Sequence, residues 1–397
     1  MSKKLLLFLF EFGFLLKFRF VGELSVSELF LLISSVSLFA DVKPFRVSLL
    51  RNLSYLYFLL LGIQLVASTF HPDNSFSNDF KGVAITVVSF LHVLFLYKNC
   101  RSDYRMLGYA FAGYAAYVIT QWFMGDDVLG SEHDQLSFLK FTFVPAFGAV
   151  AMLWLLYSKV NSRVKSLVYF LLGLLFITLG TRSFGSFFLV SGFFSILIAK
   201  YKRLRDYKVL LPLILVVGYA FYCLYTYLVL NGQIVSGNTF QTLDIIDPYN
   251  PVNLLIVGRT EIFVQWAAFM QKPIWGWGSW ANDPNMYFHG LMTLFKGIEG
   301  QVVLDEESIP NHSIIVGVGM THGMFALTVM FSIFVLIMRR AFLALHGKTN
   351  LVLPLLFVTV DFFWNMWFSP PSTFRYIIPF DVVLILLIFA EIKKREI

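Results

Sequence analysis

The stretch HSIIVGVGMTHGMFALTVMFSIFVLIM, residues 312–338, contains no Asp, Glu, Lys or Arg. A helix crosses the hydrocarbon core of a bilayer with about 20 mainly apolar residues, because each residue adds about 1.5 Å. The stretch exceeds this requirement and ends at the basic pair Arg339 and Arg340. It therefore predicts a helix that spans a membrane.

Composition extends this prediction to the whole chain of 397 residues, which is 58% hydrophobic and 14% charged with a mean hydropathy of +0.72. Soluble domains carry about 25% charged residues, so most of this surface must face lipid. The net charge of +7 does not indicate nucleic-acid binding, because the sequence contains no water-facing basic patch interleaved with aromatic residues. Cys100 and Cys223 are too few for a disulfide framework or a metal cluster.

Apolar runs recur along the chain and predict an all-α polytopic membrane protein with about twelve spans. The first two runs are short and contain charged residues, and the alternative for them is one re-entrant pair. The predicted spans are 5–18, 25–41, 52–70, 81–98, 105–122, 140–157, 166–181, 184–199, 209–230, 312–338, 350–368 and 376–391.

The distribution of charge predicts the orientation of these spans. Most Lys and Arg residues fall on one side when both termini are placed in the cytoplasm, as the positive-inside rule requires. The predicted parts are 1–230 with about nine spans, a large periplasmic loop at 231–311, and 312–397 with about three spans. The acids expected on the outer side are Asp126, Asp127, Glu132, Asp134, Asp305, Glu306 and Glu307.

The loop 231–311 is rich in Trp and Tyr, which favours packed structure rather than disorder. Within it, residues 258–272 have apolar side chains at helical spacing, and Pro273 follows as a helix stop. We expect an amphipathic helix that lies against the outer membrane surface. Its apolar residues are Ile262, Phe263, Trp266, Phe269 and Met270.

Basic residues are scarce on the outer side, and Arg182 is one of them. It lies in a short predicted hairpin, where Thr181 or Ser183 could cap the following helix. Free backbone N–H groups beside a guanidinium would then form an anion site. The alternative is an interfacial anchor whose charged group reaches water.

Arg259 precedes the predicted amphipathic helix. A positive charge at a helix N-terminus opposes the helix dipole unless a negative group is bound between them, so the position suggests an anionic ligand. The alternative is an ion pair with Glu261 or with another acid of the same loop.

His312 opens the predicted span 312–338, after Pro310 and the expected N-cap Asn311. The helix dipole favours a neutral imidazole there, which is able to accept a proton. The alternative is an interfacial hydrogen-bonding role. Five weaker candidates are His289, His322, Asp361, Arg375 and Asp381, and we expect the last three to pair with one another at the end of the bundle. The small residues of 317–323 are interpreted as helix-packing positions, and the alternative is a ligand-binding loop.

The order of these motifs is similar to a known family. Arg182, Ser183 and Gly185 follow a span, Gly258 and Arg259 lead through a helix to PIWGWG at 273–278, and Asn311-His312-Ser313 opens a span that reaches Gly323. Over roughly residues 165–340 this order resembles the O-antigen polymerase and ligase superfamily. Phe184 and Ser313 stand where members commonly have Gly and Asn.

The resemblance implies a GT-C-like, inverting glycosyltransferase at the periplasmic face of the bacterial inner membrane. It implies donor and acceptor glycans carried on undecaprenyl diphosphate, no metal and no other cofactor, and no nucleic acid. Arg182 and Arg259 would bind the diphosphate, and His312 would be the catalytic base. The supporting residues would be Ser183, Glu261, Asn311 and Ser313. The expected partners are these lipid-linked glycans, the bilayer and, as a candidate, a chain-length regulator.

Three functions are compared. A polymerase of lipid-linked repeat units is favoured over an O-antigen ligase that transfers the glycan to lipid A core, although both perform the same chemistry. The third is a transporter or flippase for lipid-linked glycans. A transporter is expected to have broken helices and midplane charges in paired halves, whereas the ionisable groups here cluster on one face. This clustering favours an enzyme.

Overall fold

The computed structural model describes residues 2–20, 22–71, 74–124, 138–233, 247–296, 308–347 and 351–395, most of which are helical. The helices are α1 (Lys3–Phe12), α2 (Val26–Val42), α3 (Ser48–Ser68), α4 (Phe76–Cys100), α5 (Leu107–Phe123), α6 (Val144–Tyr157), α7 (Ser162–Thr178), α8 (Arg182–Lys200), α9 (Tyr207–Leu230), α10 (Pro251–Gly258), α11 (Thr260–Gln271), α12 (Tyr287–Lys296), α13 (Ile314–His346), α14 (Val352–Phe368), α15 (Thr373–Tyr376) and α16 (Ile378–Arg395). Strands β1 (Lys17–Phe20) and β2 (Gly22–Ser25) form an antiparallel hairpin between α1 and α2.

Within these residues, six segments are long and apolar enough to cross a membrane: α3, α4, α8, α9, α13 and the α15–α16 segment Thr373–Lys394. Helices α6 and α14 are apolar but shorter. The chain is therefore an all-α membrane protein by helix length and composition. The number of twelve spans stays a prediction, because α2, α5 and α7 each have 17 residues and α1 has only 10.

Helix α1 is too short to cross on its own, since 10 residues rise about 15 Å. Both ends of the α1–α2 segment lie at one end of the bundle: Lys4 Nζ lies 5.2 Å from the ring of Tyr109 next to the start of α5, and Asp41 pairs with Lys98 near the end of α4 at 2.6 Å. The hairpin between them reaches into the bundle. Two short spans and one re-entrant pair both place these ends on one side, so both alternatives for the first two predicted spans stay predictions.

Helix α13 contains a break at Gly323, whose φ of +78° strains any other residue. The 273–278 loop fills the break: Trp277 N donates to Met320 O at 2.9 Å, and Gly278 N donates to Thr321 O at 2.9 Å. Met324 N in turn donates to Pro273 O at 2.8 Å. The loop thus provides hydrogen-bond partners for backbone N–H and C=O groups that lose their helical partners at the break. Irregular backbone within a membrane-spanning segment requires such partners. The lack of a side chain at Gly323 allows the 273–278 loop to approach closely, whereas the sequence predicts that Gly323 packs against a neighbouring helix.

The predicted loop 231–311 folds onto the bundle where it is described. A small apolar cluster joins α11 and α12 to α13 through Val264, Ala268, Phe269, Ala281, Phe288, Ile309 and Met320. The predicted helix 258–272 is present as α11 and ends before Pro273. Its Val264 and Ala268 are buried, whereas Trp266 is 48% and Met270 61% exposed, so part of the predicted apolar face does not pack against the protein. Residues 125–137, 234–246 and 297–307, which include the predicted outer acids, lie outside the described residues.

Candidate functional site

A cavity of about 1480 Å³ opens among the ends of several helices. Small-molecule pockets usually measure about 300–1,000 Å³, so this cavity has room for a longer substrate. Its charged and imidazole-bearing wall residues are Lys17, Glu23, Arg259, Glu261, His312, His322 and Arg375, and its aromatic wall residues are Tyr114, Tyr117, Trp122, Trp280, Trp364, Phe368, Phe374 and Tyr376.

Arg259 lies at the junction of α10 and α11, as the N-cap of α11 without a side-chain cap bond. Its Nη1 donates to Gly258 O at 3.0 Å, and the guanidinium carbon lies 5.2 Å from the ring of Trp364 on α14. Its Nε is buried without a hydrogen-bond partner among the described residues. Burial lowers the pKa of Arg259, and the nearby Glu261 carboxylate raises it. The group therefore offers an unsatisfied donor at the cavity wall.

His312 is exposed and lines the same cavity, just before α13. The expected N-cap Asn311 is wrong: Ser313 caps the helix, because its extended backbone places Oγ 3.2 Å from Val316 N as acceptor. Asn311 Oδ1 instead accepts from Gln265 Nε2 at 2.5 Å. His312 thus lies outside the first helical turn, so the helix dipole acts on it less than the sequence suggested.

Arg182 begins α8, but it is not among the residues that line this cavity. Its guanidinium lies 5.8 Å from the ring of Tyr225 on α9. The expected capping is wrong for Thr181, whose hydroxyl donates back to Phe176 O at 2.8 Å. Ser183 lines a second cavity of about 190 Å³, which shares Trp364 and other wall residues with the large one. Arg182 therefore lies beside the site that contains Arg259 and His312.

Arg375 is the functional-site candidate that the sequence misjudged. It was expected to pair with Asp361 and Asp381, but its Nη1 lies 2.7 Å from Glu28 Oε1, and it lines the large cavity. Glu28 is fully buried at the start of α2, where it forms a capping box with Ser25, so it requires a cation nearby. The capping-box pattern Ser-x-x-Glu at 25–28 was a visible signal for this helix start.

Asp361 and Asp381 line the small cavity instead. Asp361 Oδ1 accepts from Asn365 Nδ2 at 2.9 Å, and Asp381 Oδ2 is buried without a hydrogen-bond partner among the described residues. The structure therefore brings Arg259, Glu261, Asn311 and His312 to one cavity and leaves Arg182 and Ser183 next to it.

Comparison with known proteins adds no family assignment. No protein-family model matches this chain, and no curated protein matches it either.

Proposed function

We propose that the chain is an inverting, metal-independent glycosyltransferase that polymerises oligosaccharide repeat units carried on undecaprenyl diphosphate. The observation that carries the proposal is that Arg259 and His312, far apart in the chain, line one large cavity. A fixed guanidinium and an imidazole are the two groups that this reaction needs, one for the leaving diphosphate and one for the acceptor proton.

The cavity wall suits a glycan. Its volume of about 1480 Å³ would admit several sugar rings, and Trp122, Trp280, Tyr117 and Tyr376 offer flat faces on which sugars could stack. Polar wall residues such as Gln121 and Asn282 can bond sugar hydroxyls.

The location of basic residues supports a periplasmic cavity. The wall includes Gln64 near the end of α3, Asn78 near the start of α4 and Gln121 near the end of α5. At or next to their opposite ends, these three helices carry the basic residues Arg51, Lys98, Arg101 and Arg105. By the positive-inside rule the basic end faces the cytoplasm, so the cavity would open toward the periplasm of the inner membrane, with both termini inside.

In the proposed reaction, a hydroxyl of the acceptor sugar attacks the anomeric carbon of the donor from the face opposite the diphosphate. His312 accepts the hydroxyl proton as the new carbon–oxygen bond forms. The bond to the diphosphate breaks, and undecaprenyl diphosphate leaves with the electron pair. Arg259 stabilises the charge that develops on the leaving group, and a preformed donor of this kind is typically worth about 100- to 1,000-fold in rate. Arg182, which lines neither cavity, would contribute only a weak electrostatic attraction to the diphosphate from beside the site.

A lipid-linked glycan transporter is the second candidate. The break of α13 at Gly323 and the buried carboxylate of Asp381 favour it, because transporters place broken helices and buried charges at their substrate sites. The two functions differ in their products: a transporter moves the lipid-linked glycan unchanged, whereas the transferase lengthens it.

The test uses the purified protein in liposomes with undecaprenyl-diphosphate oligosaccharides from the organism that encodes it. Glycan ladders and free undecaprenyl diphosphate are expected from the unaltered protein, and at least about 100-fold less of both from His312→Ala. His346→Asn, which changes an exposed histidine at the other end of α13, is the matched control. Movement of the lipid without any ladder would identify a transporter. Ladders at an unchanged rate from His312→Ala would refute the role of His312, and transfer onto lipid A core alone would indicate the ligase.

A further inference from the structure

Two side-chain amides meet at the wall of the large cavity, one from α11 and one from the segment before α13. Gln265 lies on α11, whose N-cap is Arg259, and Asn311 lies next to His312 in the chain. Gln265 Nε2 donates to Asn311 Oδ1 at 2.5 Å. Asn311 lines the cavity, whereas Gln265 is fully buried and is not among the lining residues. The bond thus connects the helix that begins after Arg259 to the segment that contains His312.

This bond leaves the other half of the Asn311 amide for a ligand. Oδ1 is occupied by Gln265, and a Cβ at position 317 would collide with it, so Gly317 leaves the space in which this oxygen lies. Nδ2 carries two hydrogens, and no hydrogen bond among the described residues uses them. Because Asn311 lines the cavity, a bound molecule can reach these N–H donors. The hydrogen bond to Gln265 assigns the orientation of both amides.

The amide of Gln265 is unfavourable for packing alone. Its Oε1 is buried without a hydrogen-bond partner among the described residues, and an unsatisfied buried acceptor lowers stability. A methionine of similar volume would fill the same space without a buried polar atom. The Gln265 amide therefore contributes to the orientation of Asn311 rather than to the stability of the core.

The position of Asn311 indicates which part of a substrate its donors meet. In the proposed reaction His312 takes the proton of the attacking hydroxyl on the acceptor sugar, and Asn311 is the preceding residue. A second hydroxyl on the same sugar has lone pairs that can accept a hydrogen bond from Nδ2. An amide donor at this place binds the sugar and takes no part in the proton transfer.

We propose that Asn311 binds the acceptor sugar by donating from Nδ2 to a hydroxyl oxygen beside the attacking one, and that Gln265 is the positioning residue that fixes this donor. The inference rests on the proposed function, which identifies the sugar as an acceptor. A site built to bond a substrate hydroxyl rejects the analogue that lacks it. The pair therefore selects repeat units that carry a hydroxyl at this position.

The first experiment measures transfer from the lipid-linked donor to the repeat-unit oligosaccharide without its lipid diphosphate. In Gln265→Met we expect the KM for this acceptor to rise about tenfold and kcat to fall less than about threefold, because one hydrogen bond to the substrate loses its fixed geometry. The thermal midpoint should be unchanged or higher, since the unsatisfied oxygen is removed. Gln271→Met, the same change at the exposed end of α11, is the matched control. A lower thermal midpoint with an unchanged KM would show a purely structural role and overturn the inference.

The second experiment identifies the hydroxyl. Acceptors that lack one hydroxyl at a time are compared between the unaltered protein and Asn311→Ala. For one position, the missing hydroxyl should reduce kcat/KM about tenfold in the unaltered protein and cause no further loss in Asn311→Ala, because the two changes remove the same bond. Multiplied losses at every position would contradict the inference.

A binding measurement separates this inference from the proposed function. Trp122, Trp280 and Trp364 line the cavity, so their fluorescence reports binding of the lipid-free oligosaccharide without any transfer. We expect about tenfold weaker binding in Gln265→Met and Asn311→Ala than in Gln271→Met. If ladders form and depend on His312 while all three variants bind equally, the proposed function stands and this inference fails. If no ladder forms but binding weakens as expected, the transferase proposal fails and Asn311 remains a glycan-binding residue.

Discussion

Two arginines line the large cavity, and their surroundings differ. Arg375 Nη1 contacts the buried carboxylate of Glu28 at 2.7 Å, so a full negative charge already neutralises it. Arg259 donates to the carbonyl of Gly258, lies over the ring of Trp364 and has the Glu261 carboxylate nearby. Because Glu28 is fully buried against Arg375, whereas Glu261 is only partly buried, we expect an incoming diphosphate to gain more from Arg259. A cavity arginine is therefore a ligand group or a structural group according to its partner.

The largest effect is expected for Arg259. Arg259→Ala should lower ladder formation by about 1,000-fold, because the leaving diphosphate loses its preformed donor. Arg259→Lys should remain strongly impaired, since an ammonium lacks the planar fork of a guanidinium. The thermal midpoint should change little. The control is Arg51→Lys, which changes an exposed arginine near the start of α3, at the end away from the cavity. Near-normal turnover in Arg259→Lys would show that only its charge matters.

Glu28 should affect stability rather than chemistry. Glu28→Gln leaves the partly buried Arg375 without its carboxylate, and breaking a buried pair costs about 3–5 kcal/mol. We expect a loss near the lower limit of this range, because the Arg375 side chain is 20% exposed. Thermal unfolding of the purified protein measures the loss, and the double variant Glu28→Leu with Arg375→Met should recover part of it. A large fall in turnover number with unchanged stability would assign Arg375 to the substrate instead.

The variant Gly323→Ala tests whether the 273–278 loop is seated in the break of α13. Gly323→Ala should destabilise the protein by about 1–3 kcal/mol, since φ is +78° and the new Cβ would collide with Ile274 O. Gly290→Ala on α12 is the matched control, because nothing lies within 4 Å of its new Cβ. Equal thermal midpoints for the two variants would show that the loop is not seated in the break.

The smallest effect is expected for Arg182. Because it lies outside the wall of the large cavity, Arg182→Lys should reduce ladder formation only about two- to fivefold, close to the worth of one exposed cation–aromatic contact. A loss as large as that of Arg259→Lys would place its guanidinium on the diphosphate and extend the site into the small cavity.

The sequence predicted the features that depend on local pattern. The long apolar helix α13, the hairpin before Arg182 and helix α11 with its stop before Pro273 follow from hydropathy, helical spacing and proline chemistry. The predictions that were wrong concern residues whose partners lie far away in the sequence. Arg375 pairs with Glu28 because α2 returns into the bundle after a hairpin, and the sequence does not reveal which distant acid will meet a given arginine.

The same limit explains Ser279 and His322. His322 was only a weaker candidate in the sequence, and its position 3.5 Å from Ser279 Oγ arises because the 273–278 loop enters the break at Gly323. The two glycine-rich segments, PIWGWG and the one that ends in Gly323, were visible as motifs. Their mutual packing is a tertiary contact that no periodicity encodes.

The account depends on Arg259 and His312 sharing one outward-facing cavity that binds a lipid diphosphate. The most direct measurement labels His312→Cys, in a Cys223→Ser background, with a membrane-impermeant maleimide applied from the periplasmic side. We predict rapid labelling that undecaprenyl-diphosphate oligosaccharide slows, and no such protection when Arg259→Ala is added. Labelling only from the cytoplasmic side, or labelling that the lipid leaves unchanged, would contradict the account.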